Sequence, residues 1–115
     1  MIHLIFDRAN PQQIQEMLES LEAYIKVAVD IHHGILAGGG VLHSDCEAIL
    51  LKEGSRQEDI WGANWIPDTR EVRFEALINI RPKQRNRVMR IEDSNIRSRV
   101  EAIVRRAFEE PSEKS

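Results

Sequence analysis

The chain of 115 residues contains one cysteine, Cys46, so it cannot form an internal disulfide, and this usage fits the reducing cytoplasm. No stretch approaches the ~18 consecutive apolar residues that a membrane span requires. The opening Met1-Ile2-His3-Leu4-Ile5-Phe6-Asp7 has no basic region and its apolar run stops at Asp7, which argues against a secretory signal. Internal repeats, low-complexity tracts and an interdomain linker are missing as well. Between Phe74 and Phe108 there is no further Phe, Tyr or Trp. That gap argues against stacking on single-stranded bases, and no DNA-binding fingerprint is visible.

What is present is ordinary for one folded domain: 42% hydrophobic and 30% charged residues, too apolar for intrinsic disorder. A chain of this length holds a single core. Residues 1–110 are expected to form it, with 111–115 as a frayed tail. The net charge of -3 is unevenly spread: residues 1–65 carry 4 basic and 10 acidic side chains, residues 66–110 carry 11 and 8. Such asymmetry suits folding, head-to-tail association or an anionic ligand on the Arg-rich half.

Ile2, Leu4 and Phe6 alternate with Met1, His3 and Ile5 as a first short strand. Asn10-Pro11-Gln12-Gln13 has the form of a helix start, with Asn10 as cap, Pro11 in the first turn and Gln13 closing a capping box. Ile14, Met17, Leu18, Leu21 and Ile25 keep helical spacing, which predicts a helix from about Pro11 to Tyr24. From Lys26 to Ile91 the period becomes two. Strands are expected over Val27–Ile31, Ala48–Leu51, Trp61–Trp65, Val72–Ile80 and Val88–Ile91, punctuated by Gly34, Gly38 to Gly40, Gly54, Pro67 and Pro82. Ile96, Val100, Ile103, Val104 and Phe108 then mark a second amphipathic helix. The expected fold is α+β: an antiparallel meander of about five or six strands, with the N-terminal and C-terminal helices packed on one face.

Residues 37–65 concentrate the chemistry. His43, Asp45 and Glu47 would project from one face of an extended strand about 6 to 7 Å apart, whereas a helix would pair His43 with Glu47. One His with two carboxylates suits a divalent Mn, Fe or Zn, and Asp30 with His32 could complete the shell. Spacings typical of zinc sites, such as paired Cys or His-Glu-x-x-His, are absent. Cys46, between Asp45 and Glu47, reads as a buried structural thiol, because adjacent negative charge disfavours thiolate. The Gly38 to Gly40 triplet lacks the Lys-Ser/Thr of a phosphate-binding loop and reads as a turn or bulge. Arg81, Lys83, Arg85 and Arg87 form the candidate anion-binding cluster, with a solvated turn as its plainer reading. Trp61 and Trp65 share a strand parity and serve as core or as an interface or ligand shelf.

Several ordered segments also carry a resemblance: Leu36-Ala37-Gly38-Gly39-Gly40, Leu42-His43-Ser44-Asp45-Cys46-Glu47-Ala48, Gly54-Ser55-Arg56-Gln57-Glu58-Asp59, Trp61-Gly62-Ala63-Asn64-Trp65 and Leu77-Ile78-Asn79-Ile80-Arg81-Pro82. Over roughly Met1 to Arg106 the chain resembles a family of short, mainly bacterial and cyanobacterial proteins classified only as a domain of unknown function. The resemblance implies a stand-alone small protein and brings no activity, cofactor or catalytic residue. From the residues, the expectation is a cytoplasmic binding or interaction module that associates as a homo-oligomer. The alternative is a metal-dependent hydrolase of a phosphorylated substrate, with His43, Asp45 and Glu47 as ligands and Arg81 or Arg87 neutralising substrate charge.

Overall fold

A computed structural model describes residues 1–109; the expected tail at 111–115 lies outside them. The chain is α+β, with a five-stranded antiparallel sheet in the order β1-β3-β2-β4-β5. The strands are β1 (His3–Ile5), β2 (Ile25–Asp30), β3 (Ile35–Gly38), β4 (Ile60–Ile66) and β5 (Glu71–Arg73). Among the described residues there are three α-helices, α1 (Pro11–Leu18), α2 (His43–Lys52) and α3 (Ser94–Phe108), besides short 3-10 turns.

This order is not a meander. β1 and β2 both pair antiparallel with β3, so they run in the same direction, joined through α1 with β3 inserted between them. β3 and β4 likewise flank β2 and are joined through α2. The segment expected as a strand at Ala48–Leu51 belongs to that second crossover helix. Its inward stripe is Cys46, Glu47 and Leu50, a helical spacing whose middle residue is a carboxylate, so apolar periodicity alone does not reveal it.

Alternation along β2 and β4 sorts the two cores. Ile25, Val27, Val29, Trp61, Ala63 and Trp65 face a large cluster completed by Met17 of α1 and Val100, Ile103, Val104, Ala107 and Phe108 of α3. Ala28 and Ile60 point the other way, onto Ala37 and the Cys46 and Leu50 side chains of α2. The small Ala28 and Ala37 let α2 lie close to the sheet.

Local chemistry sets the element ends. The Asn10 side chain accepts from Gln13 N–H at 2.8 Å while Gln13 Oε1 accepts from Asn10 N–H at 3.0 Å, the full capping box. α1 ends at Leu18 rather than near Tyr24, because the chain reverses through Glu22 at a φ of 66°, its N–H bonded to Leu18 O. Of the glycine triplet, Gly39 alone has a positive φ, 105°, and a Cβ there would lie 2.2 Å from Met1 O. The run expected as one strand from Val72 to Ile80 is continuous strand only to Arg73; beyond it lie a single bridge at Glu75 and a short 3-10 turn over Leu77–Asn79. The expected strand at Val88–Ile91 is reduced to an isolated bridge between Glu75 and Arg90.

Candidate functional site

β5 pairs with β4 only at Asn64, Trp65 and Ile66, leaving the Ile60 to Ala63 edge without a neighbouring strand among the described residues. The 3-10 turn fills part of it. Asn79, fully buried, accepts from Gly62 N–H through Oδ1 at 2.7 Å and donates through Nδ2 to Gly62 O at 3.0 Å. A second buried amide, Asn86, donates to Asn79 O, Val88 O and Arg90 O and accepts from Glu92 N–H, fixing the loop that follows. Between this segment and α2 runs a groove made of two cavities that share Leu77 and Ile78.

The first cavity, about 410 Å³, is lined by Leu42, Leu77, Ile78 and Met89 with Tyr24, Lys26, His43, Ser44, Asn64 and Glu75 around them. His43 sits at the first position of α2. Its Nε2 lies 3.0 Å from Ala63 O and 2.9 Å from Asn64 Oδ1, two acceptors, so Nε2 carries the proton and Nδ1 the lone pair. Asn64 is oriented in turn by donation from Nδ2 to Glu75 O. Burial lowers the His43 pKa, the two hydrogen bonds oppose this, and nearby Lys26 adds to the lowering; the net direction is down and the imidazole is neutral at pH 7. Lys26 donates to Val41 O at 2.9 Å.

The second cavity, about 570 Å³, is lined by Ile78, Ile80, Pro82, Lys83 and Gln84, with an ion pair between Glu47 and Arg81 in its wall. Arg81 Nη2 is 3.1 Å from Glu47 Oε2, both side chains are 11% exposed, Nη1 donates to Gln57 O, and the guanidinium lies 5.1 Å over the Trp61 ring. Burial pulls the Arg81 pKa down and Glu47 pushes it back.

The structure does not bring the four candidate metal ligands together. His43, Asp45 and Glu47 are on a helix rather than a strand; Asp45 is exposed, Glu47 is bound to Arg81 and His43 to main chain. Asp30 is four residues along β2 from Lys26, about 13 Å by strand rise, at the other end of the sheet. It closes the β2–β3 turn: Oδ1 accepts from His32 and His33 N–H, and Oδ2 from Ser55 Oγ at 2.6 Å and His33 Nδ1 at 2.7 Å. Burial pushes its carboxyl up, but these donors outweigh that and the pKa falls. Among the described residues no group of three or more His, Cys, Asp or Glu side chains could hold a metal ion.

The basic cluster divides. Arg81 is internal, while Lys83, Arg85 and Arg87 stand exposed on the loop beside the groove. Trp61 and Trp65 are both core: Trp65 stacks on Phe108 at 5.8 Å, and neither offers a shelf. Cys46 is buried, and burial first, then Asp45, against a hydrogen bond from Gly40, pushes its thiol to about 11. Sequence reasoning missed Asn79 and Asn86. The only sign of them is an asparagine inside each of two segments read as strand and basic turn.

A family model described as Protein of unknown function (DUF5674) matches residues 3–107. The chain belongs to this family. No curated protein matches, and no solved structure does. In this DUF5674 chain, no helix among the described residues is long and apolar enough to cross a membrane.

Proposed function

We propose that this DUF5674 chain is a binding module whose ligand seats in the groove between α2 and residues 75–84. The observation that carries this reading is the exposure of large apolar side chains around a concave surface. Leu77 is 72% exposed, and Leu42, Ile80, Val88 and Met89 are between 42% and 53% exposed. Leu42, Leu77, Ile80 and Met89 line the two adjoining cavities. Apolar surface gathered in a cleft with a few polar groups is the common make-up of a ligand site.

The Trp61 and Trp65 rings are internal, so the tryptophan strand offers no aromatic contact surface for self-association. The groove takes over that role for any partner chain, a second copy included. The metal-dependent hydrolase is not favoured, since its acidic ligands are separated or already neutralised by Arg81. Catalysis at His43 has no support beyond the neutral imidazole itself.

The test uses anilinonaphthalene sulfonate, an apolar anion, with the folded full-length chain. Saturable binding that disappears in Leu77→Asp, with an unchanged melting temperature, supports the groove. Equal binding by wild type and Leu77→Asp would remove it.

A further inference from the structure

The loop closing the groove differs in charge from the rest of the protein. Residues 76–91 contain Arg81, Lys83, Arg85, Arg87 and Arg90 and no acidic side chain. Arg81 is taken up by Glu47. Lys83, Arg85, Arg87 and Arg90 are exposed, and among the described residues none of the four forms an ion pair. The same loop holds the exposed Leu77, Ile80, Val88 and Met89. Cations without ion-pair partners and exposed apolar side chains therefore occupy one segment, held by the hydrogen bonds of Asn79 and Asn86.

Resting on the binding reading above, we infer that the occupant is an acidic polypeptide segment of a partner protein, with leucine-like side chains entering the groove and carboxylates facing Lys83, Arg85, Arg87 and Arg90. Charge complementarity selects the acidic character, steering encounter and rejecting basic partners. The apolar cavities select side chains over phosphates. A nucleic acid would meet four cations but would leave the apolar rim uncovered, and the loop has no aromatic on which a base could stack. An anionic membrane also combines charge with apolar matter, but it receives protrusions, whereas this surface is concave. The adjoining first cavity, with Lys26 among its lining residues, gives the segment a second anchoring point.

The full chain, ¹⁵N-labelled, is titrated with three short peptides: Glu and Leu mixed, Gln replacing every Glu, and Ser replacing every Leu. Phosphatidylglycerol vesicles and polyuridylate are run alongside. The Glu/Leu peptide is expected to shift groove amides and to bind about tenfold or more tightly than either control, weakening as salt rises. Lys83→Glu/Arg85→Glu should lose about tenfold for that peptide and nothing for the Gln version. Arg85 already has a left-handed φ of 61°, so Arg85→Asn is a second variant that keeps the turn. If the Gln/Leu peptide binds as well, the acidic partner is wrong while the groove stands. Preference for vesicles, RNA, the Ser-substituted peptide or a second copy of the chain by sedimentation overturns the inference in the same way. If none of these, nor anilinonaphthalene sulfonate, moves a groove amide, the binding reading fails with it.

Discussion

Asn79 stands in for a strand beside Gly62, its side-chain amide making both the donor and the acceptor bond that a neighbouring backbone would supply to β4. The groove depends on this substitution. A true strand would continue the sheet past Arg73, whereas one buried amide holds a 3-10 turn and sends Leu77 and Ile80 outward.

Removing it should be costly. Asn79→Ala leaves Gly62 N–H and C=O unpaired in the interior, and the expected loss is about 2–4 kcal/mol. Asn79→Asp should not rescue, because the donors to Gly62 O and Met89 O are gone. Gly62→Ala should also destabilise, by about 1–3 kcal/mol, since its Cβ would lie 2.5 Å from the Ala76 Cβ. Urea midpoints of the three variants check these values.

The Glu47–Arg81 pair should behave as a buried ion pair. Arg81→Met alone strands a carboxylate in the groove wall and should cost about 3–5 kcal/mol; Glu47→Gln/Arg81→Met should recover most of it. A double-mutant cycle by chemical denaturation reads the difference.

Acid should weaken the fold through His43. Its folded pKa lies below the ordinary 6.5, so between the two values the unfolded chain binds the extra proton and stability rises with pH. The contribution is complete above about 6.5 and is lost as pH falls below it, with a slope of at most about 1.4 kcal/mol per pH unit from one proton. Unfolding curves for wild type and His43→Gln should diverge across that window in their pH slope, the variant being flatter.

Much of the fold is legible in the residues. Asn10-Pro11-Gln12-Gln13 carries its capping chemistry openly, and the Val27 and Trp61 runs alternate as strands do. α2 is obscured because its buried stripe holds Cys46 and Glu47, and the burial of Glu47 is compensated chiefly by Arg81, 34 positions away. No local pattern contains that pairing. The same holds for Asn79, whose partner at Gly62 is known only once the strands are ordered. The basic loop was visible as charge, but its apolar neighbours read as strand, so the groove between them was not.

Cys46 should resist labelling by a disulfide reagent at neutral pH in the folded state and react fully in denaturant. With its thiol pushed from 9.0 to about 11, the unfolded chain loses that proton first on alkalinisation. Stability should therefore fall from about pH 9 upward, by as much as about 3 kcal/mol near pH 11. Comparison with Cys46→Ala isolates this part of the alkaline loss.

The most direct test of the groove is a methyl-resolved NMR titration of the full chain with anilinonaphthalene sulfonate. The predicted result is movement of the Leu42, Leu77, Ile78, Ile80 and Met89 methyls, with saturation, while Ile14 and Leu51 stay still. Shifts centred instead on Ile14, beside the separate cavity lined by Arg8, Pro11 and Phe108, would contradict it.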